Sequence, residues 1–244
     1  MLGGGTGNDT LIGGKGNDTY VVNAAGDRVM EQGTEGIDLV KTTLSSYTLP
    51  DHVEKLQYVS SSTLAATASF STFSATETSA GFTATGNSLD NTITGGAGND
   101  RLSGGGGNDI LTGGDGADTY FFGLGDKKDT IYNGDAGTSP DRLVFEAGID
   151  EDDLWFARDG GDLLVTVRGT GGTDSIVVKD WYSDSSNRLS RFELSDGSSL
   201  AASDVQQLVT AMASFTSSSG APTTMTTAQQ QSVETTIAAN WQSA

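Results

Sequence analysis

The chain has no cysteine, a single histidine, few basic residues and no long apolar run. Without cysteine there are no disulfides, so robustness outside a cell must come from bound metal or from packing. A Ser-His-Asp triad would have to use His52, and no G-x-S-x-G elbow accompanies it. The H-E-x-x-H signature of a zinc protease is absent too. His52, within LPDHVEKL, reads as a solvated residue on a turn or strand edge. No apolar stretch is long enough for a membrane-spanning helix. The opening MLGGGTGND has neither the basic start nor the apolar core of a secretory leader. Since Met1 leads almost directly into a repeat, the chain is expected to be part of a longer protein.

Thirteen Lys and Arg stand against 32 Asp and Glu in 244 residues, a net charge of −19. Nucleic acids and anionic membranes recruit basic surfaces, so both are poor partners for this chain. Lys127, Lys128, Arg158 and Arg168 are too few for a phosphate site and read as solvated. Self-repulsion of this size opposes compaction until cations neutralise it. Such a composition could also describe a wholly disordered chain, unless a positive pattern argues otherwise.

That pattern is a nine-residue repeat. GGAGNDRLS, GGGGNDILT and GGDGADTYF follow one another from Gly95 to Phe121. The sixth place is Asp100, Asp109 and Asp118, and the eighth is Leu102, Leu111 and Tyr120. A shorter run, GGTGNDTLI and GGKGNDTYV, starts at Gly4 and carries Asp9 and Asp18 in sixth place. VNAAGDRVM keeps the beat with Asp27, and GNSLDNTIT leads into the main run with Asn91 in the same position.

Each repeat divides into a six-residue turn, GGxGxD, and a three-residue strand with a central apolar side chain. Glycine lets backbone carbonyls converge on an ion through φ angles that other residues seldom adopt. Calcium is a hard cation that takes about six to eight oxygens from carboxylates and carbonyls. One apolar side chain per repeat is little burial for ordering nine residues, so an ion that binds only the coiled chain is expected to supply the balance. A flexible Gly/Asp-rich linker is the alternative, but it does not explain the regular apolar eighth place.

With two repeats per coil, residues 18 apart should stack, pairing Asp100 with Asp118 and Asp9 with Asp27 around shared ions. Asp109 should meet Asn91 or Asp90 on one side and Asp126 or Asp129 on the other. Asp18 is a further candidate ligand. Carbonyls of Gly95, Ala97, Gly114 and Gly116 are candidates to complete the Asp100–Asp118 site, with Gly104 and Gly106 candidates in the middle repeat. Asn91 removes a charge and predicts a weaker site. Paired acids for glycoside cleavage look no different in sequence, and the ligand reading is taken here.

The chain divides into five segments. Residues 1–59 read as a first roll followed by degenerate coils, in which Val29, Ile37, Leu39, Leu44, Leu49, Val53, Leu56 and Tyr58 alternate. Residues 60–85 are Ser/Thr/Ala-rich coils or a connector holding Phe70, Phe73 and Phe82. Residues 86–140 are the main roll. Residues 141–202 hold short strands with bulky Ile176, Val178 and Trp181, expected to form an antiparallel β cap. Trp155, Trp181 and Tyr182 could form a sugar platform, but core packing is the reading taken. In 203–244 a helix is expected from Ser203, which has capping-box spacing to Gln206 and is followed by Val205, Leu208, Val209 and Met212. Val233, Ile237 and Trp241 mark a second amphipathic segment.

The repeats, the block DLLVTV…DSIVVKDWY…RFELSDGSSL and the tail together resemble the C-terminal region of RTX (haemolysin-type calcium-binding) proteins. The resemblance implies an all-β fold: a calcium-bound parallel β-roll, or β-solenoid, with a C-terminal β cap and short C-terminal helices. It implies several calcium ions and a bacterial protein that is secreted or held at the cell surface. It also implies an uncleaved C-terminal signal read by the ABC transporter of a type I secretion system. No catalytic set is expected. The alternatives are an adhesive or lattice-forming surface module, which would self-associate or bind a surface ligand, and the non-catalytic tail of a secreted enzyme.

Overall fold

A computed structural model describes residues 1–33, 36–59, 81–134, 139–213, 215 and 225–243. The three residues after each GGxGxD turn form a strand, and the central one points inward. In Arg101–Ser103, for example, Leu102 is fully buried between an exposed Arg101 and a half-buried Ser103. Successive strands alternate between two parallel sheets, so the chain winds as a solenoid.

The first sheet runs β1 (Leu2–Gly3), β3 (Thr19–Val22), β5 (Leu39–Thr42), β7 (Lys55–Tyr58) and β9 (Thr92–Ala97). It continues through β11 (Ile110–Asp115), β13 (Lys128–Tyr132), β17 (Ser175–Val178), β16 (Asp162–Val167) and β15 (Leu154–Asp159). The second runs β6 (Ser46–Thr48), β8 (Thr83–Thr85), β10 (Arg101–Ser103) and β12 (Thr119–Phe122). Beyond these lie β14 (Arg142–Phe145), β18 (Arg191–Glu193), β19 (Ser199–Ala201) and β20 (Trp241–Gln242). β2 (Thr10–Ile12) and β4 (Arg28–Met30) pair separately near the N-terminus.

Parallel register stacks like on like. Tyr20, Val40, Leu56, Ile93, Leu111, Ile131 and Val178 form one inward row. Ala84, Leu102, Tyr120, Leu143 and Phe192 form the opposite row. All twelve are buried, so a single narrow core runs the length of the roll. Phe82 lies in it and stacks on Tyr58 at 5.0 Å between ring centroids. Phe70 and Phe73 fall outside the described residues.

Two expectations need correction here. Ile37 is 50% exposed and Leu39 half-buried, whereas Asp38 and Val40 point inward, so the alternation in that stretch is one residue out of phase. The antiparallel cap does not start at Asp141. β14 pairs parallel with β12, β17 with β13 and β18 with β14, which prolongs the roll. Antiparallel pairing is confined to β15–β16–β17 and β18–β19–β20.

At the C-terminal end the core thickens with Trp155, Phe156, Trp181 and Phe192. Tyr182 lies half-buried beneath the Arg158 guanidinium, so these rings pack rather than form a platform. Helix α1 (Ala202–Ala213) buries Val205, Leu208, Val209 and Met212 and packs on β15. It begins one residue earlier than expected, so Ser203 lies within the helix and its hydroxyl reaches Asp204. The true capping box belongs to α2 (Thr227–Asn240), where Thr226 and Gln229 exchange hydrogen bonds. α2 buries Val233 and Ile237 against α1, and Trp241 leaves it to pair with Leu200.

Leu111 stands mid-row with neighbours fixed by register on both sides. Leu111→Ala should cost about 2–5 kcal/mol of calcium-loaded stability, read from urea unfolding. A cost near zero would mean that the row is not a packed core.

Candidate metal centre

The turn places its sixth residue where the strand begins, and its main-chain N–H needs an acceptor. The residue in the same place one coil further on supplies it. Asp100 N–H donates to Asp118 Oδ1 at 2.8 Å, and Asp118 N–H to Asp141 Oδ1 at 2.7 Å. On the other side Asn91 N–H donates to Asp109 Oδ1 at 2.6 Å, and Asp109 N–H to Asp129 Oδ1 at 3.0 Å. Near the N-terminus Asp9 N–H donates to Asp27 Oδ1, Asp18 N–H to Asp38 Oδ1 and Asp38 N–H to Glu54 Oε2. The acidic side chains thus form ladders down both sides of the roll.

One carboxylate oxygen makes the ladder bond; the other lies against the first glycine of the same turn. A Cβ at Gly4, Gly95, Gly104 or Gly113 would collide with Asp9, Asp100, Asp109 or Asp118 respectively, five residues on. Gly104 therefore has no room for a side chain. Gly107 differs: its φ of 138° is a conformation that L side chains rarely adopt. The Oδ2 atoms of Asp9, Asp109 and Asp129 are buried without a hydrogen-bond partner. Burial pushes the Asp129 carboxyl up to about 8, with the charges of Asp109 and Asp126 adding to it. Asp109 rises to about 6, again chiefly through burial, with Asp90 and Asp126 contributing. Buried carboxylates that want their protons back, in a cradle shaped by glycine, fit a hard cation.

The remaining candidates separate by geometry. Asp27 Oδ2 accepts from Asn23 and Ala24 N–H, and although burial works against it, these amides and that of Asp9 lower its carboxyl. Asp126 Oδ2 accepts from Gly123 N–H within its own turn, so Asp129 rather than Asp126 meets Asp109. Asp90 bonds Asn108 N–H, leaving Asn91 as the ladder residue. Asn91 Oδ1 accepts from Asn87 N–H, while its amide donates to the Val53 and Glu54 carbonyls. The backbone at Gly96 and Ala97 pairs with Gly114 and Asp115, which stacks the turns holding Gly95 and Gly116.

Four acids escaped the sequence reading: Glu31, Asp38, Glu54 and Asp141. One carboxylate oxygen each from Asp18, Glu31 and Asp38 lie within 4.8 Å of one another, a spacing that suits a shared cation. Asp38 had a signal, since the sequence Gly33-Thr34-Glu35-Gly36-Ile37-Asp38 fits the GGxGxD pattern with threonine for the second glycine. Glu31 had none. Asp141 closes its ladder differently: Asn133 donates to its Oδ2, and Tyr120 donates in turn to Asn133.

With the ladders described, the family comparison is decisive. Residues 3–29 and 85–126 match the RTX calcium-binding nonapeptide repeat. The chain carries RTX calcium-binding repeats. Residues 162–204 match the haemolysin-type calcium binding protein related domain, which covers β16 to the start of α1. The Iron-regulated protein FrpA of Neisseria meningitidis serogroup C is similar at 32% identity over 95 residues. That alignment takes in 37% of this chain and 8% of the relative, so the chain spans a small fraction of that protein's length.

Asp109→Asn keeps the acceptor for Asn91 N–H but removes a buried charge. It should raise the calcium midpoint of the RTX roll at least about tenfold without weakening the calcium-free state, whereas Asp109→Ala should raise the midpoint and weaken the calcium-free state as well. Lys15→Ala, on an exposed turn, should leave the midpoint unchanged; equal shifts in all three would rule out the ligand role.

The raised carboxyls give opposite pH trends. Ion-free stability from Asp109 and Asp129 is fully present below the ordinary carboxylate value and is lost as pH climbs through about 6 and then about 8. Calcium affinity should move the other way, weakening by about tenfold per pH unit between about pH 8 and pH 6 as a proton competes for Asp129. Calcium titrations followed by circular dichroism check this, and a pH-independent midpoint would contradict it.

Proposed function

We propose that this chain is a calcium-dependent folding module of a larger secreted bacterial protein, and that residues 203–244 carry its type I secretion signal. The observation that supports this most directly is the buried, unpartnered second oxygen of Asp9, Asp109 and Asp129. A fold that buries bare carboxylates is costly until a cation joins them. Where calcium is scarce, the acidic glycine-rich chain stays open and can be threaded through an exporter. Where calcium is plentiful, the ladders close and the roll becomes rigid. When bound, the ion supplies the positive charge that the turns lack; holding it falls to the chain.

We assign the ligands as Asp100 with Asp118, Asp109 with Asp129 and the Asn91 carbonyl oxygen, Asp9 with Asp27, and Asp18 with Glu31 and Asp38. Carbonyls of the stacked turns complete each shell: Gly95, Ala97, Gly114 and Gly116 on one side, Gly104 and Gly106 on the other. The module is read as non-catalytic, working outside the cell or at its surface.

In excess EGTA the chain should show the far-ultraviolet dichroism of a coil, and in millimolar calcium that of a β fold. Identical spectra would end the folding reading. In a host with the matching exporter, removing 203–244 should abolish release into the medium; undiminished release would place the signal elsewhere.

A further inference from the structure

The outer face of the second sheet gathers positive charge in a chain that has little of it. The residue after each ladder acid opens a strand and points away from the inward row: Arg101 after Asp100, Thr119 (itself buried) after Asp118, Arg142 after Asp141. β18 adds Arg191. Parallel register sets Arg101, Thr119, Arg142 and Arg191 side by side, so three of the chain's seven arginines share one row. These arginines lie far apart in sequence, and only the stacked coils bring them together.

The row rims a groove of about 320 Å³ that is also lined by Asn99, Asp100, Ala117, Pro140 and Ser190. Glu193 sits between two of the arginines, 2.6 Å from Arg191 Nε and 3.4 Å from Arg142 Nε. The arginines can therefore hold a carboxylate; Glu193 and Asp100, the latter committed to the ladder through Phe82 N–H, stand against three guanidinia and leave a surplus of one positive charge. Among the described residues Arg101 forms no ion pair; its guanidinium lies over the Phe121 ring at 4.5 Å, which holds it in the row. At physiological salt, charges beyond about 8 Å are largely screened, so the row outweighs the distant acids for a short ligand.

We propose that this groove binds an acidic oligosaccharide, with Arg101, Arg142 and Arg191 taking its carboxylates and Thr119, Ser190 and Asn99 its hydroxyls. Guanidinium is the side chain best matched to a carboxylate's two oxygens. Neighbouring strands lie about 4.7–4.9 Å apart, so the cations stand at one- and two-step multiples of that spacing, a span that a short chain of uronate rings can cover. An extended acidic peptide turns alternate side chains away and repeats on one face at about 6.6–6.8 Å, which misses the row. A nucleic acid would overrun the groove onto acidic surface. The proposal rests on the calcium-folded roll, since an open chain has no row.

The test is titration calorimetry in excess calcium, with the folded state verified by circular dichroism. The probes are a galacturonate trimer, a neutral galactose trimer, sulfate and a triglutamate peptide. The galacturonate trimer should bind while the other three do not. The double variant Arg101→Gln, Arg191→Gln should weaken binding at least about tenfold, while Arg158→Gln, a single-charge change outside the groove, should stay within about twofold. Equal weakening by Arg158→Gln, or equal binding of the neutral trimer, sulfate or triglutamate, would overturn the site. A roll that folds in calcium yet ignores the galacturonate trimer sinks the groove alone. A chain that stays unfolded in calcium sinks the folding reading and the groove with it.

Discussion

The structure depends on one hydrogen bond repeated from coil to coil, from the main-chain N–H of a sixth-place residue to the side chain of its counterpart one coil on. The N–H faces an interior closed to water, and an unpaired donor there would cost about as much as a lost hydrogen bond. A short acidic or amide side chain reaches it; a longer apolar one would leave it bare. Meeting that requirement immobilises one oxygen and presses the other against a glycine with no side chain. The metal-binding character of the turn therefore follows from backbone hydrogen bonding. The geometry that satisfies the N–H is also the geometry that strands a charge.

The ends of the ladders show the same constraint met in part by protein donors. At Asp141 the second oxygen receives the Asn133 amide, which Tyr120 holds in place while its own hydroxyl accepts from Gly113 N–H. At Asp27 two amides of its own turn occupy the second oxygen. Both lie where the nine-residue rhythm has loosened and side chains have replaced glycine. Between them the Oδ2 atoms of Asp109 and Asp129 stay buried without a donor. Apolar bulk follows the same division: one Leu, Ile or Tyr per strand in the roll, and Trp155, Phe156, Trp181 and Phe192 together at the far end.

The repeat was legible because its period survives in the register. Leu102 faces Tyr120 and Ile93 faces Leu111, each 18 residues apart as expected. Elsewhere the step changes to 20 at Tyr20–Val40 and Leu111–Ile131, and to 16 at Val40–Leu56. A turn that gains or loses two residues keeps every inward side chain inward, so nothing in composition marks it. That is why Asp129 and Asp126 looked equivalent beforehand and only Asp129 joins the ladder. Ile37 and Leu39 misled because apolar alternation has the same period whether it faces in or out. Asp38 faces in because its carboxylate caps the Asp18 N–H, and that contact outranks the burial of two aliphatic side chains. Ser203 misled in a smaller way, since α1 starts directly from β19 and needs no side-chain cap.

The ladder also determines what the roll shows to solvent. Side chains alternate along a strand, so a sixth-place acid directed into the turn commits the next residue to the outer face. That position is free to vary, and across the second sheet it reads Thr83, Arg101, Thr119, Arg142 and Arg191. The interior row cannot vary in this way, because each position must fill a narrow core and each acid must meet an N–H. One face of such a roll can thus acquire a chemistry opposite to the chain's average without disturbing what holds the coils together. Cohesion and surface specificity reside in adjacent residues that point in opposite directions. A guanidinium row can therefore sit one residue away from a column of buried carboxylates.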